Sequence, residues 1–483
     1  MDRHVDVEIL ELAELARAGD DARYCLVVVP SMTFDQELLQ NVLGVEHYEE
    51  RLLAMLLQLT APNLQVVFCS SAPIAEEIVE YYLDLIPGVP VVHSRPRLTM
   101  VTCDDRSPRS LTEKLMERPA RLREIREVLR SCVAGGIVCM NTTERERQLS
   151  DELGVPLLGN PPDLDHLGSK SGSRAVFAEA GIDCPAGFER LRDMDEVASR
   201  LAVLKAGHPA LKQAVVKLEE GFSGEGNAVF DYSHGTDEAT IREALPEHLE
   251  FQAAAETYDS FASRFAQMGG IVEEFVDGVI DSPSAQGYIS PGGEVRALST
   301  HDQLLGGGGQ VFQGSMFPAH DRYRMQVQDA MLKVGNVLQA RGARGRFAVD
   351  FVEAPDRIAA IEINLRKGGT THPMLTMAVI TQGHYEPATG VFRTASGAEK
   401  CYYSTDNLRS ESYRGLSVTD LLDAAVTEGL TFNPALERGC VFFMLGALSE
   451  FGKVSVTCIA DTLEQAIADY DRLVTVMDRL GSG

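Results

Sequence analysis

The sequence predicts an α/β N-terminal domain followed by α+β units, and three observations carry that assignment. In the first ~160 residues, short apolar runs alternate with helical stretches, the pattern of a parallel, doubly wound sheet. From about residue 161 the alternation gives way to paired strands and glycine-rich turns. Beyond about residue 390 a further α+β unit closes the chain.

Taken in order, Tyr24–Val29 reads as a buried strand and Glu49–Thr60 as an amphipathic helix. Leu64–Cys69 is a strand, Ile74–Ile86 a helix and Val89–His93 a strand. Leu98–Cys103 and Gly136–Met140 add strands, with a long charged helix over Ser110–Cys132 between them. The turn after the first strand, Pro30-Ser31-Met32-Thr33, has no G-x-G-x-x-G, which argues against a dinucleotide site. Asp104, Asp105 and Arg106 follow a strand, where such sheets bind ligands, although a solvated loop is the plainer reading.

After Pro161-Pro162 the segment Gly168-Ser169-Lys170-Ser171-Gly172 opens a helix over Ser173–Ala180 that ends at Gly181. Lys170 at a helix start opposes the helix dipole; it is either a surface lysine or one that meets an anion. The strand Ala214–Lys217 ends in a lysine and runs into EEGFSGEGN, which carries Gly221, Phe222, Ser223, Gly224, Gly226 and Asn227. Such glycines let successive N–H groups converge on a phosphate, but they also suit a plain hairpin tip, and no P-loop motif is present. Gly270–Val276 is a strand running into a linker, with Glu273, Glu274, Phe275 and Val276 at its end and Asp281 just beyond. Tyr288–Ser290 and Val295–Ser299 form a hairpin, and Leu304–Gln313 contains the run Gly306–Gly309.

The chemically richest stretch is Arg346–Pro373. Arg346–Glu353 and Ile358–Arg366 read as two strands about the turn Ala354-Pro355-Asp356-Arg357. Alternation points Ile361, Ile363 and Leu365 one way and Glu362, Asn364 and Arg366 the other. An odd-length loop centred near Asp356 places Asp350 opposite Glu362. Two carboxylates and an amide are hard oxygen ligands that suit Mg²⁺ held with substrate phosphates; a half-solvated strand is the ordinary alternative. In the tail, Leu416–Thr427 and Thr462–Leu480 read as helices, and Val441–Leu448 with Val454–Ile459 as a hairpin about Glu450–Lys453.

Composition narrows the class. A net charge of −27 argues against non-specific nucleic-acid or anionic-membrane binding, though not against a local basic pocket. The nine cysteines are scattered without a C-x-x-C, as expected of reduced residues in a cytoplasmic protein. The acidic N-terminus lacks an apolar signal-peptide core, and no apolar run approaches ~20 residues.

The order Lys170, Lys217 with its glycine loop, the V-E-E-F-V linker, Asp350, and E-x-N-x-R at Glu362, Asn364 and Arg366 resembles the ATP-grasp family. With the N-terminal domain and the tail, it resembles the peptide-ligase branch typified by the pheganomycin peptide ligase. The resemblance implies a Rossmann-like pre-ATP-grasp domain over residues 1–160, and an ATP-grasp fold of two α+β subdomains over 161–390 with a mobile lid at about 205–275. A C-terminal α+β domain over 391–483 would complete it. It implies a cytoplasmic ligase that uses ATP and two Mg²⁺, with Mn²⁺ as substitute, to join an amino-acid donor to a peptide acceptor in antibiotic biosynthesis. A homodimer is compatible with it; nucleic acid and membrane are not implied.

By position, Lys170, Lys217 and the loop Gly221–Asn227 would contact phosphates, Glu273 to Val276 adenine, and Asp281 ribose. Asp350, Glu362 and Asn364 would hold the metal, and Arg366 would stabilise the transferring group. Arg346, Lys367, His301 and Arg264 are the substrate-binding candidates. The loop Leu304–Gln313 departs from relatives that carry a basic residue there. A nucleotide-sensing scaffold and a biotin-dependent carboxylase component are the alternatives; nothing resembles a biotin-carrier segment.

Overall fold

A computed structural model describes residues 22–34, 39, 42–221, 226–253, 256–306 and 311–482. The N-terminal sheet is parallel throughout, in the order Leu98–Thr102, Leu64–Ser70, Tyr24–Val29, Ala134–Cys139. Its strands are apolar on both faces because both faces are covered. One face packs on helices that include Leu115, Leu122 and Ile125. The other joins the largest core of the molecule.

Three N-terminal expectations are corrected. The helix at Val45–Thr60 is wound as 3₁₀ and is buried nearly all round from Tyr48 to Leu59, not amphipathic. It lies between the parallel sheet and the C-terminal unit, in one core with Val66, Met377 and Phe443. Val89–His93 is not a strand: Pro90 precedes a short helix, Val91–Ser94, and Val92 is exposed. Proline's fixed φ suits a helix start, and this outweighs the β-branched composition. The charged helix over Ser110–Cys132 is two helices, Leu111–Met116 and Pro119–Arg130, because Pro119 cannot continue the first and opens the second.

A five-stranded antiparallel sheet follows, in the order Gly187–Leu191, Gly270–Glu274, Gln213–Leu218, Asn227–Asp231, Leu249–Phe251. Helices Met194–Gly207, Glu238–His248 and Tyr258–Met268 share its core through Leu201, Ile241 and Phe265.

The third sheet has ten strands. Strands Pro283–Ile289, Val295–Gly306, Val311–Phe317, Gly345–Ala354 and Arg357–Asn364 form one part of it, backed by helices Lys170–Ala180 and Arg324–Ala340. Strand Glu399–Arg409 pairs with Val311–Phe317, so the tail continues this sheet. Strands Gly439–Phe443 and Lys453–Ala460 pair antiparallel as expected, but the first ends at Phe443, not Leu448, and Ala447–Phe451 is a short helix. All nine cysteines are free, and no helix among the described residues is long and apolar enough to cross a membrane.

The join between tail and sheet depends on close backbone approach at Gly314, where a Cβ would stand 2.1 Å from the Ser404 carbonyl oxygen. Gly314→Ala is expected to cost about 1–3 kcal/mol through forced strand displacement, read as a lowered denaturation midpoint with unchanged far-UV circular dichroism.

Candidate active site

The three sheets and the buried helix Val45–Thr60 meet around a cleft of about 890 Å³. One end is lined by Lys217 and Glu273 from the five-stranded sheet, the middle by Asp350 and Glu362, and the far end by Tyr48, Asp406 and Lys453.

Asp350 and Glu362 do face each other. The route differs from the expected odd loop. Ala354 pairs with Arg357 across a two-residue turn, and Asp350 comes opposite Glu362 only because Ile361 is bulged out of the ladder between Phe351–Ala360 and Asp350–Glu362. The bulge also turns Ile361 to the cleft, whereas Ile363 and Leu365 keep their places in the core. Asn364 Nδ2 donates to Asp350 Oδ2 at 2.9 Å.

Two lysines balance these acids. Lys170 is the first residue of its helix, capped by the Ser169 hydroxyl, and its Nζ pairs with Glu362. That contact explains a cation at a helix start. Lys217 Nζ pairs with Glu273 at 2.5 Å, and Arg174 reaches the same carboxylate at 3.3 Å. Burial alone would raise Glu362, but Lys170 and Arg366 outweigh it and hold it below the ordinary glutamate value. Asp350 is pushed up to about 6 by burial and by the charge of Glu362. Burial lowers the Arg366 guanidinium, against the pull of Glu362 and Asp350.

Lys170, Lys217, Gly221, Asn227, Glu273, Glu274, Phe275, Val276, Asp281, Asp350, Glu362, Asn364, Arg366 and Lys367 all line this cleft. Gly226 has φ +88° and packs on Leu218. Phe222, Ser223, Gly224 and Gly307–Gly309 lie outside the described residues. The side chains of Glu274 and Asp281 are engaged elsewhere, Glu274 with Arg357 at 2.5 Å and Ala186 N at 2.9 Å, Asp281 with Arg322.

Three substrate candidates fall elsewhere. His301 is fully buried, bonds the Tyr402 hydroxyl at 2.6 Å, and is driven down to about 3 by burial; it is a neutral core residue. Arg264 is paired with Glu256 and does not line the cleft. Arg346 shares the strand face of Asp350 but lies beyond Ala348, outside the cleft lining, with its carbonyl accepting from Asn160 at 2.7 Å.

Sequence reasoning missed Arg51, Asp406, Asn407, Arg409 and Lys453, all of which line the cleft. Asp406 and Asn407 oppose the single residue Ser455 at a second bulge. The polar run Ser404-Thr405-Asp406-Asn407 inside the strand Glu399–Arg409, with an aspartate and an asparagine in succession, was the available signal. Arg51 offered a weaker one, a charge at the head of the apolar run LLAMLL.

Residues 162–252 and 238–363 match the family described as IQCH-like, ATP-grasp, and residues 420–473 the family described as PGM1 C-terminal domain. The chain is 31% identical over 458 residues to L-propargylglycine–L-glutamate ligase of Streptantibioticus cattleyicolor, covering 91% of each. It is 24% identical over 416 residues to IQ motif-containing protein H of Danio rerio, covering 75% of this chain but 39% of that relative. Its fold is similar to that of biotin carboxylase from Campylobacter jejuni, at 13% identity and a TM-score of 0.56, over 95% of this chain and 96% of the other. It is similar too to N5-carboxyaminoimidazole synthase from Aspergillus clavatus, at 13% identity and a TM-score of 0.53, over 95% and 100%.

The raised Asp350 carboxyl has a stability consequence. An unfolded aspartate titrates at about 3.9, so between there and about 6 the folded chain binds more protons, and stability falls as pH rises through that window. Asp350→Asn removes this penalty. The variant is expected to gain on wild type as pH rises from about 4 to about 6, with a constant difference above; urea denaturation at stepped pH reads it, and a pH-independent difference would remove Asp350 as its source.

Proposed function

The chain belongs to the ATP-grasp superfamily, and on that premise we propose how its cleft carries out ATP-dependent carboxylate–amine ligation. The observation that carries the reading is the opposed pair Asp350–Glu362 faced by Lys170 and Arg366 in one cleft, in a chain 31% identical to a ligase that, by its name, joins two amino acids.

The chemistry needs two displacements. A carboxylate is a poor electrophile, so an oxygen of the donor carboxylate first attacks the γ-phosphorus of ATP. The new P–O bond forms as the bond to the β,γ-bridging oxygen breaks, and ADP leaves. The acceptor amine then attacks the acyl carbon of the acyl phosphate, phosphate leaves, the amine loses a proton, and an amide remains. Phosphoryl transfer depends on positioning and on cationic clamps more than on covalent help.

In this reading Lys170 and Lys217 exchange their carboxylate partners for phosphate oxygens. The backbone of Glu273 to Val276 meets the adenine edge, since the Glu273 and Glu274 side chains are already committed. Asp281 is similarly committed to Arg322, so a ribose contact would require it to share that partner. The segment Gly221–Asn227 covers the phosphates, and the five-stranded unit acts as the lid. Asp350, Glu362 and Asn364 fit a hard divalent cation: two crowded carboxylates, one of them raised to about 6 by its neighbour and burial, are relieved by a positive charge between them. Mg²⁺ held there would neutralise phosphate oxygens. Arg366, the half-buried cation beside Asp350 and Glu362, stabilises charge on the transferring phosphoryl group and on the tetrahedral intermediate. The donor is an amino acid, non-proteinogenic in an antibiotic pathway, and the acceptor an amino acid or peptide amine.

Purified protein with ATP and Mg²⁺, scanned over amino-acid donors and amine acceptors, should release ADP in step with a product heavier than the acceptor by donor minus water. AMP and pyrophosphate would mean adenylation and overturn the acyl-phosphate route. Arg366→Ala should retain nucleotide binding and lose roughly 10²–10³ in kcat, the loss typical of one preorganised oxyanion donor; undiminished turnover removes Arg366 from the mechanism. Glu362→Gln should shift the Mg²⁺ activation curve to higher concentration, and a curve superimposable on wild type rejects the ligand assignment.

A further inference from the structure

The far end of the cleft holds a cationic basin that the reaction scheme above leaves unused. Arg51, from the buried helix, is 7% exposed and lies with its guanidinium 3.9 Å from the Tyr48 ring centroid. It pairs with Asp406 at 2.5 Å, but its Nε is buried and has no hydrogen-bond partner among the described residues. Lys453, 3% exposed, donates to two neutral oxygens, the Leu43 carbonyl at 3.0 Å and the Tyr48 hydroxyl at 3.2 Å. No carboxylate pairs with it among the described residues. Arg409 sits directly across the strand pair from Lys453, hence on the same face, and makes no ion pair or side-chain hydrogen bond among the described residues.

Among the described residues one acid lies in the basin, and it is spoken for. Asp406 takes Arg51 on one oxygen and the Ser455 hydroxyl at 2.7 Å on the other, with His372 at 3.5 Å. Among the described residues Arg51, Lys453 and Arg409 thus face one carboxylate, a local positive excess in a chain of net charge −27. Burial and the nearby arginines bring Lys453 down to about 8, which an incoming anion would reverse.

The basin lies within electrostatic reach of Arg366, whose guanidinium feels Arg51. An ammonium group is repelled there, so the donor's amino group does not belong in it. An acceptor amine approaching the acyl phosphate must be neutral to attack, and surrounding cations favour its neutral form. What complements the excess is a second anion on the acceptor. We propose that Arg51, Arg409 and Lys453 bind a free carboxylate of the acceptor, so that the acceptor is a carboxylate-bearing amino acid. This rests on the ligase reading, and the test separates the two.

Hydroxylamine, a small uncharged amine, traps the activated donor as a hydroxamate without needing the basin, so hydroxamate formation reports the ligase reading alone. With a donor found that way, acceptors are compared as free acids and with one carboxylate blocked: L-glutamate against its α-amide and against L-glutamine distinguishes the α- from the side-chain carboxylate. Blocking the recognised carboxylate is expected to cost on the order of 10- to 100-fold in kcat/KM for the acceptor, the range of hydrogen bonds to charged groups. Arg409→Gln and Lys453→Met should lower kcat/KM for the free acid by a similar factor, erase the discrimination against the blocked acceptor, and leave the hydroxamate rate and the KM for ATP unchanged. Equal use of free and blocked acceptors, an acceptor KM unmoved in both variants, or hydroxamate formation with no carboxylate-bearing amine accepted would each overturn the basin. If no donor gives hydroxamate, the ligase reading fails, and calorimetric titration of L-glutamate into ADP-loaded protein still decides the basin. Binding weakened at least tenfold in Arg409→Gln supports it; no binding, or identical binding by both proteins, rejects it.

Discussion

Everything in the cleft follows from placing two carboxylates face to face on one strand pair. Asp350 and Glu362 repel each other, and burial raises the cost, so the surrounding structure is arranged to offset it. Lys170 is brought to Glu362 by a helix whose first residue ought not to be a lysine. Arg366 continues the same strand face, and Asn364 donates to Asp350. Each compensating group is one that a phosphate or a metal ion can displace. A site arranged in this way holds its ligands at the expense of its own stability, and binding them returns the difference.

The geometry is achieved by interrupting regular sheet where it meets the cleft. Ile361 is bulged so that the carboxylates oppose each other. Gln313 is left unpaired between Leu304–Gly314 and Leu305–Phe312 and lines the cleft. Asp406 and Asn407 stand opposite Ser455 alone. Each bulge re-aims a polar or apolar side chain that strict alternation would direct elsewhere. The ten-stranded sheet is therefore both scaffold and wall: its regular parts pack on helices Lys170–Ala180 and Arg324–Ala340, and its irregular parts carry chemistry.

What the sequence disclosed was local. The strand pair around Pro355-Asp356, the lysine heading a helix, the strand ending in Lys217 and the E-x-N-x-R alternation were legible because each depends on neighbours within a few residues. Even there, loop parity and the displacement of Ile361 escaped, since a one-residue bulge leaves no mark in composition. Val89–His93 and Pro119 show the same limit from the other side, where a proline decided against the apolar or charged pattern around it. His301 was misjudged because a histidine on a strand gives no sign of which face will be buried until its partner, Tyr402, is known.

The far end of the cleft was illegible for a different reason. Arg51 lies hundreds of residues from Asp406 and Lys453, and meets them only because the helix Val45–Thr60 is enclosed by the C-terminal unit. That enclosure explains the division of labour in the cleft. The end proposed to take the nucleotide is built from stretches of one continuous segment, residues 170–366. The opposite end is assembled from the two terminal units, which can change without disturbing the lysines or the carboxylate pair. Arg366 stands between them, beside the Asp350–Glu362 pair on one side and under the field of Arg51 on the other. If the proposed roles hold, the activation chemistry and the choice of what is joined are carried by separate parts of the chain, and among the described residues the far wall is positive.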